Sequence, residues 1–246
     1  MALSNQHGDN RINWKVNLAV LWIGVFFAAS SYTMCVPFLP VFLLKDLGVS
    51  EADVSFWSGL VYSITFLFAA IMAPYWGAMA DKVGQKKMAI RAGVGLAITY
   101  VMSATCQNEY QFFVIRGIIG LISGFVPASM SLVSSTLPLE KMGWGMGLMQ
   151  TALSSGGILG PLIGGYLSSW FGIRASFWVS SVCLTIATLL VIFLVKDVSI
   201  SEERRNRKVE LISDLKEALQ NKGIIFTMLM FFLIQVCVML LQPLIT

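Results

Sequence analysis

The sequence predicts an all-α membrane protein with about seven transmembrane helices, and its composition, its long apolar stretches and its charge distribution all favour that class. Of the 246 residues, 57% are hydrophobic and only 12% are charged, whereas soluble domains carry roughly a quarter charged residues. The mean hydropathy of +0.76 excludes an ordinary water-soluble globular protein. A helix needs about 20 apolar residues to cross a bilayer, so the chain with its loops has room for roughly seven spans.

Apolar stretches between polar breaks divide the chain into four predicted parts. Residues 1–16 form a polar cytoplasmic tail, 17–195 a six-helix bundle, 196–222 a central cytoplasmic loop and 223–246 a seventh helix. The seven predicted spans are residues 17–44, 54–80, 88–106, 110–137, 143–170, 174–195 and 223–246. In the central loop, apolar residues at helical spacing fit an amphipathic helix on the membrane surface and a solvated linker helix equally well.

Lysines and arginines predict the orientation of the chain. Fourteen of the 17 lie in the amino-terminal tail and in the segments that share its side of the membrane. Only Lys45 and Arg174 lie in the opposite loops, and Arg116 lies inside a span. Because positive residues are enriched on the cytoplasmic side, we expect a multi-pass protein of the cell membrane with a cytoplasmic amino terminus. The same bias explains the net charge of +4 without a nucleic-acid partner.

Cysteine and histidine usage predicts neither a metal centre nor a disulfide framework. The four cysteines lie in or beside separate apolar stretches, and the single histidine, His7, lies in the polar tail. Zinc sites and disulfide scaffolds need ligands at characteristic spacings. We therefore expect no cofactor and no metal, and the chain carries no pattern that indicates an enzyme.

A short charged segment between the second and third spans is the first candidate site. Its candidate gating residues are Gly77, Asp81, Lys82, Gly84, Lys86 and Lys87. A glycine permits close helix contact, the aspartate lies at a helix end, and a glycine turn precedes cations that face the inner leaflet. By itself this pattern favours a plain connector that obeys the positive-inside bias.

Arg116 and Gly120 in the fourth span form the second candidate site. An arginine at a helix centre costs roughly 2.5–3.5 kcal/mol on insertion scales. We therefore expect Arg116 to be turned inward, partnered or close to the interface. The alternative is a shallow position from which the side chain reaches outward, because Glu109 lies only two turns before it.

Regularly spaced glycines in the fifth span form the third candidate site. Gly156, Gly160 and Gly164 recur every four residues, so they share one helix face and permit close backbone contact with a neighbouring helix. Pro161 removes a backbone donor and is expected to bend the helix. With Gly165 the string contains ten residues, and its spacing alone indicates helix packing.

The charged segment resembles a loop signature of the major facilitator superfamily, Gly-x-Leu-Ala-Asp-Arg-x-Gly-Arg-Lys, at the same place between spans two and three. Asp81 and Gly84 match, Lys82 replaces arginine, and Gln85 departs from the usual basic residue. In that family the aspartate belongs to a charge-relay latch on the cytoplasmic side. The resemblance implies a gating role for Asp81 and a latch that lacks one charge at Gln85.

Further motifs narrow the resemblance to the drug/proton antiporters of that superfamily. Arg116 with Gly120 is similar to a fourth-span signature implicated in proton coupling. Residues 156–165 match the antiporter string Gly-x-x-x-Gly-Pro-x-x-Gly-Gly at every fixed position. Residues 37–40 resemble a first-span Pro-x-x-Pro signature, and together with 124–127 they resemble the MdtG-like multidrug efflux group.

The resemblance implies a secondary active transporter that exports amphipathic drugs in exchange for protons by alternating access. Such transporters have two six-helix halves with the substrate site between them. We therefore expect the amino-terminal half plus one helix of a longer transporter. Its partners would be the bilayer, a small hydrophobic or cationic substrate, protons and the missing carboxy-terminal half. All thirteen acidic residues lie in tails, loops or helix ends, so no intramembrane carboxylate stands out as the proton carrier.

Hydrophobic drugs favour apolar walls with adaptable methionine or aromatic side chains. On that basis the candidate substrate-lining residues are Tyr32, Met34, Phe38, Phe66, Met149 and Gln150.

Three alternatives to drug efflux stay open. A facilitator for a sugar or other metabolite is disfavoured by the fifth-span string, a seven-helix receptor is disfavoured by the orientation, and an inactive truncated remnant is compatible with the sequence.

Overall fold

The computed structural model describes residues 13–197, 220 and 222–245, and these residues form helices and turns without any strand. The chain divides into two compact units, Met1–Arg207 and Lys208–Thr246. Most of the predicted cytoplasmic tail and of the predicted central loop lies outside the described residues. The two units are therefore described separately.

The first span consists of two helices. Helix α1 runs over Trp14–Cys35, a 3₁₀ turn follows at Val36–Phe38, and α2 runs over Leu39–Lys45. Pro37 and Pro40 lie at this change of helix, where each removes a backbone N–H donor. The predicted span over 17–44 is thus present, with an interruption at the Pro-x-x-Pro segment.

Two long helices meet at the charged segment. Helix α3 runs over Val54–Val83 and α4 over Gln85–Thr105, so Gly84 is the only residue between them. Gly84 has φ +110°, a conformation that glycine adopts far more easily than other residues. The predicted ends at residues 80 and 88 were therefore wrong by three residues each. A single glycine reverses the chain, and no longer loop is needed.

The fourth predicted span is broken. Helix α5 runs over Glu109–Ile122 and α6 over Phe125–Thr136. Gly124 between them has φ +131°, which takes the backbone out of the α-helical region. The predicted span over 110–137 is thus present, but it consists of two helices.

Within the described residues, the remaining helices are α7 and α8 in the first unit and α9 in the second. Helix α7 runs over Met142–Phe171 after a 3₁₀ turn at Leu139–Lys141, α8 runs over Ile173–Leu194, and α9 runs over Lys222–Ile245. Helix α7 continues through Pro161 as an α-helix of 30 residues.

Within the first unit, α1 packs against α7 and α8, α4 packs against α8, and α3 packs against α5. At one end of this bundle the rings of Phe42, Phe112 and Phe177 meet edge to face, with centroid distances of 5.1–6.0 Å. At the same end Arg174 forms a salt bridge with Asp46 at 3.2 Å. These contacts tie the end of α2 to the start of α8.

Among the residues that the structure describes, five segments are long and apolar enough to cross a membrane: Trp14–Lys45, Val54–Val83, Gln85–Thr105, Glu109–Thr136 and Ile173–Leu194. Helix α7 is also long enough, although its many glycines and serines lower its mean hydropathy. Helix α9 contributes a shorter described apolar stretch, Gly223–Ile234. The predicted class, an all-α membrane protein with about seven helices, is confirmed.

Candidate functional site

A cavity of about 650 Å³ lies among α3, α4 and the junction of α5 with α6, and residues of α1 and α8 complete its wall. Five aromatic side chains line it: Tyr32, Phe66, Trp76, Tyr100 and Phe125. Its charged lining residues are Asp81 and Arg91. A largely apolar, aromatic cavity with few polar groups is typical of a small-molecule site.

Asp81 and Gln85, from the predicted gating segment, lie in the cavity wall where α3 ends and α4 begins. The Gln85 amide donates to Asp81, with 3.4 Å between Nε2 and Oδ1. Gln85 therefore gives the carboxylate a neutral partner where the family pattern has a basic residue. Gly77 also lines the cavity, and a Cβ there would meet no atom within 4 Å. The expectation of close helix contact at Gly77 was wrong, because this face of α3 borders open space.

Lys86 links α4 to α8 near the same end. Its Nζ donates to the carbonyl oxygen of Ile192 at 2.8 Å, and its backbone N–H donates to Asp197 Oδ2 at 3.2 Å. A cation thus lies at the carboxyl end of one helix and an anion at the amino end of the other, as the helix dipoles favour. Lys82 and Lys87 are exposed.

A second link at this end joins the first and last helices of the unit. The Asn17 side chain is buried, and its amide donates to the carbonyl oxygen of Lys196 at 2.8 Å. In return the backbone N–H of Lys196 donates to Asn17 Oδ1 at 3.0 Å. These two hydrogen bonds use the oxygen and one N–H of the buried Asn17 amide, and buried polar groups are usually hydrogen-bonded in this way.

The break between α5 and α6 lies in the cavity wall and is held by two side chains. Trp76 Nε1 donates to the carbonyl oxygen of Leu121 at 2.7 Å. The Arg91 guanidinium donates to the carbonyl oxygens of Ile122 and Ser123 at 3.1 and 3.3 Å. It also stacks over the Trp76 ring, 3.5 Å from the centroid.

Neither Trp76 nor Arg91 was predicted from the sequence as a site residue. Arg91 lies inside the predicted third span, 88–106, so the rule that drew attention to Arg116 applies to it as well. It was counted only among the cytoplasmic cations. A charged residue three positions inside a predicted span was the signal for this site.

Arg116 is the largest of the fully buried side chains in the described residues, with 1% exposure. Its Nε has no hydrogen-bond partner among those residues, and its guanidinium lies 5.6 Å from the Phe112 ring centroid and 5.9 Å from that of Tyr62. The salt bridge in the described part of the chain is that of Arg174 with Asp46. The shallow, outward-reaching alternative was therefore wrong, and the expected inward position is correct.

Gly120 lies where α5 meets α3. A Cβ at Gly120 would collide with the carbonyl oxygen of Thr65 and lie 3.0 Å from Cβ of Phe68. One turn earlier, Thr65 Oγ1 donates to the carbonyl oxygen of Arg116 at 3.1 Å. The glycine thus allows the two backbones to approach beside the buried arginine.

The glycines of α7 pack against α1, as their spacing predicted. A Cβ at Gly156 would lie 2.7 Å from the carbonyl oxygen of Phe26, and one at Gly160 would lie 2.7 Å from that of Ser30. A Cβ at Gly164 would collide with the carbonyl oxygen of Met34. Gly165 is on a neighbouring face, where a Cβ would lie 3.4 Å from the Phe38 ring. The fifth-span string therefore forms a helix seam on the side of α1, separate from the cavity wall.

Two of the six predicted substrate-lining residues, Tyr32 and Phe66, line the cavity. Met34 and Met149 are buried in the helix core at 1% and 0% exposure and do not line this cavity. Phe38 lies beside Gly165, and Gln150 is exposed away from the cavity. Because the membrane helices are apolar on every side, the sequence does not indicate which face of each helix borders the cavity. The type of a side chain alone does not indicate that face either.

Comparisons with known sequences identify relatives over most of the chain. The sequence model of the Major Facilitator Superfamily matches residues 21–246. The multidrug resistance protein MdtG of Klebsiella pneumoniae (strain 342) is 36% identical over 242 residues, which cover 97% of this chain and 58% of that protein. MdtG of Salmonella typhimurium is 38% identical over 211 residues, which cover 85% and 52%. The chain thus spans about half the length of the curated relatives it matches.

Solved structures share the fold at low sequence identity. The human organic anion transporter MFSD10 (TETRAN) aligns with a TM-score of 0.67 at 20% identity, over 80% of this chain and 51% of that one. The E. coli fucose:proton symporter FucP aligns with a TM-score of 0.61 at 13% identity, over 73% and 43%. These likenesses concern the arrangement of helices alone.

Proposed function

The chain belongs to the Major Facilitator Superfamily, and from that premise we propose that it acts in a secondary active transporter that exports amphipathic drugs in exchange for protons by alternating access. Its first unit supplies one half with six membrane spans, two of which consist of two helices each, and α9 begins the second half. A carboxy-terminal half such as the MdtG relatives possess completes the transporter. The amino terminus lies in the cytoplasm, so the end that bears Gly84 faces inward.

The observation that carries this proposal is the aromatic cavity, because apolar side chains and residues of the predicted gating segment, Gly77 and Asp81, line the same space. Tyr32, Phe66 and Tyr100 offer rings against which a flat or amphipathic molecule can pack, and Asp81 lies where the cavity approaches the α3–α4 turn. Aromatic and apolar walls bind varied hydrophobic compounds without requiring one pattern of hydrogen bonds. Movement of α3 against α4 at Gly84 would alter access to the bound molecule.

Arg116 supports the proton-coupling part of the proposal. It is a buried cation without a carboxylate partner in the described residues. A buried unpaired charge is costly and in membrane proteins marks a functional pathway. We assign its counter-charge to the second half of the transporter or to the substrate, and gain or loss of that partner would link proton movement to the change of state.

The test is a chimera in which residues 1–246 are continued by the carboxy-terminal part of the Klebsiella MdtG relative. In a bacterial host without its own efflux pumps, we expect the chimera to lower steady-state accumulation of ethidium, and a protonophore to abolish the difference. Unchanged accumulation contradicts drug efflux. Transport that persists after the proton gradient collapses favours a facilitator.

Two controls sharpen this result. The 246-residue chain expressed alone is expected to leave accumulation unchanged; efflux by the chain alone contradicts the need for a second half. A reporter fused to the amino terminus that is active only in the cytoplasm tests the orientation. Activity of a periplasm-specific reporter at that position would overturn the inward assignment of Gly84.

A further inference from the structure

The break between α5 and α6 exposes backbone acceptors inside a membrane-spanning segment. The carbonyl oxygens of Leu121, Ile122 and Ser123 are near the carboxyl end of α5, where helix carbonyls lose their intrahelical donors. In hydrocarbon surroundings an unsatisfied backbone group is expensive, so broken helices persist only where neighbouring groups replace the missing donors. Trp76 and Arg91 are those neighbours in this structure.

A continuous helix would satisfy only part of this set. In an unbroken helix the carbonyls of Leu121 and Ile122 would accept from the N–H groups of Phe125 and Val126 by the ordinary four-residue pattern. The carbonyl of Ser123 would face Pro127, which has no N–H. Arg91 therefore donates to the carbonyl oxygen of Ile122, which a continuous helix would also satisfy, and to that of Ser123, which a continuous helix would leave without a donor. For this reason the junction between α5 and α6 can be either broken or continuous.

The donor pair is also part of the cavity wall. Trp76, Arg91, Ser123 and Gly124 all line the cavity, and the guanidinium stacks on the indole at 3.5 Å. A planar guanidinium stacked on an aromatic face keeps its hydrogen-bonding edge fixed. A Cβ at Gly124 would lie 3.6 Å from Nη2 of Arg91, so the turn and the guanidinium are in direct contact.

We propose that Arg91, stacked on Trp76, is a positioning residue for transport that holds the α5–α6 break and thereby keeps the cavity open. Loss of its two hydrogen bonds lets α5 continue toward α6, and the wall between Ser123 and Ser131 moves into the cavity. The inference rests on the proposed function for its role in transport, while the effect on the cavity concerns the chain itself.

The first experiment measures the cavity without transport. In membranes that contain the 246-residue chain with Ser131→Cys, a cavity-lining position, maleimide labelling of residue 131 is quantified by peptide mass spectrometry. We expect Arg91→Met to lower the labelling rate at least fivefold and Trp76→Phe, which keeps an aromatic ring under the guanidinium, to lower it less than twofold. Ile98→Met, at an exposed position of α4, is the control and should change nothing.

Labelling of the Arg91→Met variant within twofold of the parent, or faster, overturns the proposal. If that variant is not recovered in the membrane, Arg91→Lys and Trp76→Leu decide it, because the first removes the planar guanidinium and the second removes the aromatic ring, so neither keeps the stack. Both are then expected to slow labelling at least threefold, and unchanged labelling in both overturns the proposal.

The second experiment separates positioning from substrate contact in the chimera. A positioning role predicts that Arg91→Lys lowers the maximal efflux rate at least fivefold with an apparent KM for ethidium within twofold of the parent. A tenfold rise in KM at unchanged maximal rate means that Arg91 contacts the substrate and overturns the positioning role. If the chimera transports nothing, the drug-efflux proposal fails while the labelling result still decides the inference about the cavity.

Discussion

Two helix contacts of the first unit, the α1–α7 seam and the α3–α5 seam, have the same four-residue spacing but differ in how far the close contact extends. In the α1–α7 seam, the residues that face α1 are Gly156, Gly160 and Gly164. In the α3–α5 seam, the corresponding series on α5 and beyond is Arg116, Gly120 and Gly124. Each series has steps of four residues, and in each the middle glycine approaches a backbone carbonyl of the neighbouring helix.

In both seams a threonine hydroxyl donates to a backbone carbonyl oxygen of the neighbouring helix. Thr33 Oγ1 donates across the first seam to the carbonyl oxygen of Gly156 at 3.0 Å. Thr65 Oγ1 donates across the second seam to the carbonyl oxygen of Arg116 at 3.1 Å. Each hydroxyl also donates to the carbonyl four residues earlier in its own helix, at 2.9 Å. The two seams therefore share a local contact pattern of threonine, carbonyl and glycine.

The seams differ at their first and third positions. In α7 a third glycine continues the helix, and close contact with α1 extends over the whole series. In α5 a buried arginine replaces the first glycine, and Gly124 at the third position takes φ +131° and ends the contact. The cavity begins where this seam ends. Glycine spacing therefore predicts close approach of two helices, while the residues around the glycines decide whether that contact continues or ends at a cavity.

The largest effect is expected at the centre of the α1–α7 seam. Gly160→Val should destabilise the protein by more than about 3 kcal/mol, because a Cβ at Gly160 meets backbone atoms that cannot rotate away. The measurement is the yield and thermal unfolding of detergent-purified protein. Gly157→Val is the matched control, since a Cβ there meets no atom within 4 Å. Equal behaviour of the two variants would contradict the closed seam.

The first position of the α3–α5 seam is expected to show the opposite sign. Arg116→Met should raise the free energy of unfolding by about 1–4 kcal/mol, because removal of a buried charge without a carboxylate partner relieves its desolvation cost. Efflux by the chimera should be lost at the same time. Thermal unfolding and ethidium accumulation measure the two effects. A variant that is less stable than the parent would show that Arg116 has a stabilising partner.

Gly120 tests the tight step of the same seam. Gly120→Ala should lower the free energy of unfolding by about 1–3 kcal/mol, because the added methyl collides with the carbonyl oxygen of Thr65. Gly59→Ala on α3 is the control, because a Cβ there meets no atom within 4 Å. Thermal unfolding measures the effect. An unchanged melting temperature for Gly120→Ala would contradict the close approach of Gly120 to the carbonyl oxygen of Thr65.

The smallest effect concerns the two threonines. Thr33→Val and Thr65→Val should each lower the free energy of unfolding by about 0.6 kcal/mol, the usual contribution of a side-chain hydrogen bond between membrane helices. Equal losses, measured by denaturant titration in detergent, would support the equivalence of the two seams. A loss at Thr65 several times that at Thr33 would indicate that the Arg116 carbonyl depends on this bond more strongly.

The sequence predicted an all-α protein with about seven membrane helices and the glycine face of α7, because both follow from local patterns, namely apolar length and a four-residue period. It did not predict the break at Gly124, because glycine within an apolar run is compatible with a continuous membrane helix. Trp76 and Arg91 donate to the carbonyls at the break from positions 45 and 31 residues away in the chain. Contacts of that separation are a property of the packed bundle.

The candidate site was predicted in part for the same reason. Tyr32 and Phe66 were recognised by their chemistry, and Asp81 by its motif, and all three line the cavity. Met34 and Met149 have equally suitable chemistry but lie in the core. Residue type gives the chemistry of a membrane cavity, whereas the choice of helix face follows from packing that neither composition nor hydropathy records.

The reciprocal hydrogen bonds of Asn17 and Lys196 join residues that are synthesised far apart in time. The two residues are separated by 179 positions, and at about 5–20 residues per second roughly 10–35 s pass between their additions to the chain. Throughout that interval the buried amide of Asn17 lacks the backbone partner that it has in the folded unit. The contact that holds Asn17 in the folded unit can therefore form only after the last helix of that unit has been synthesised.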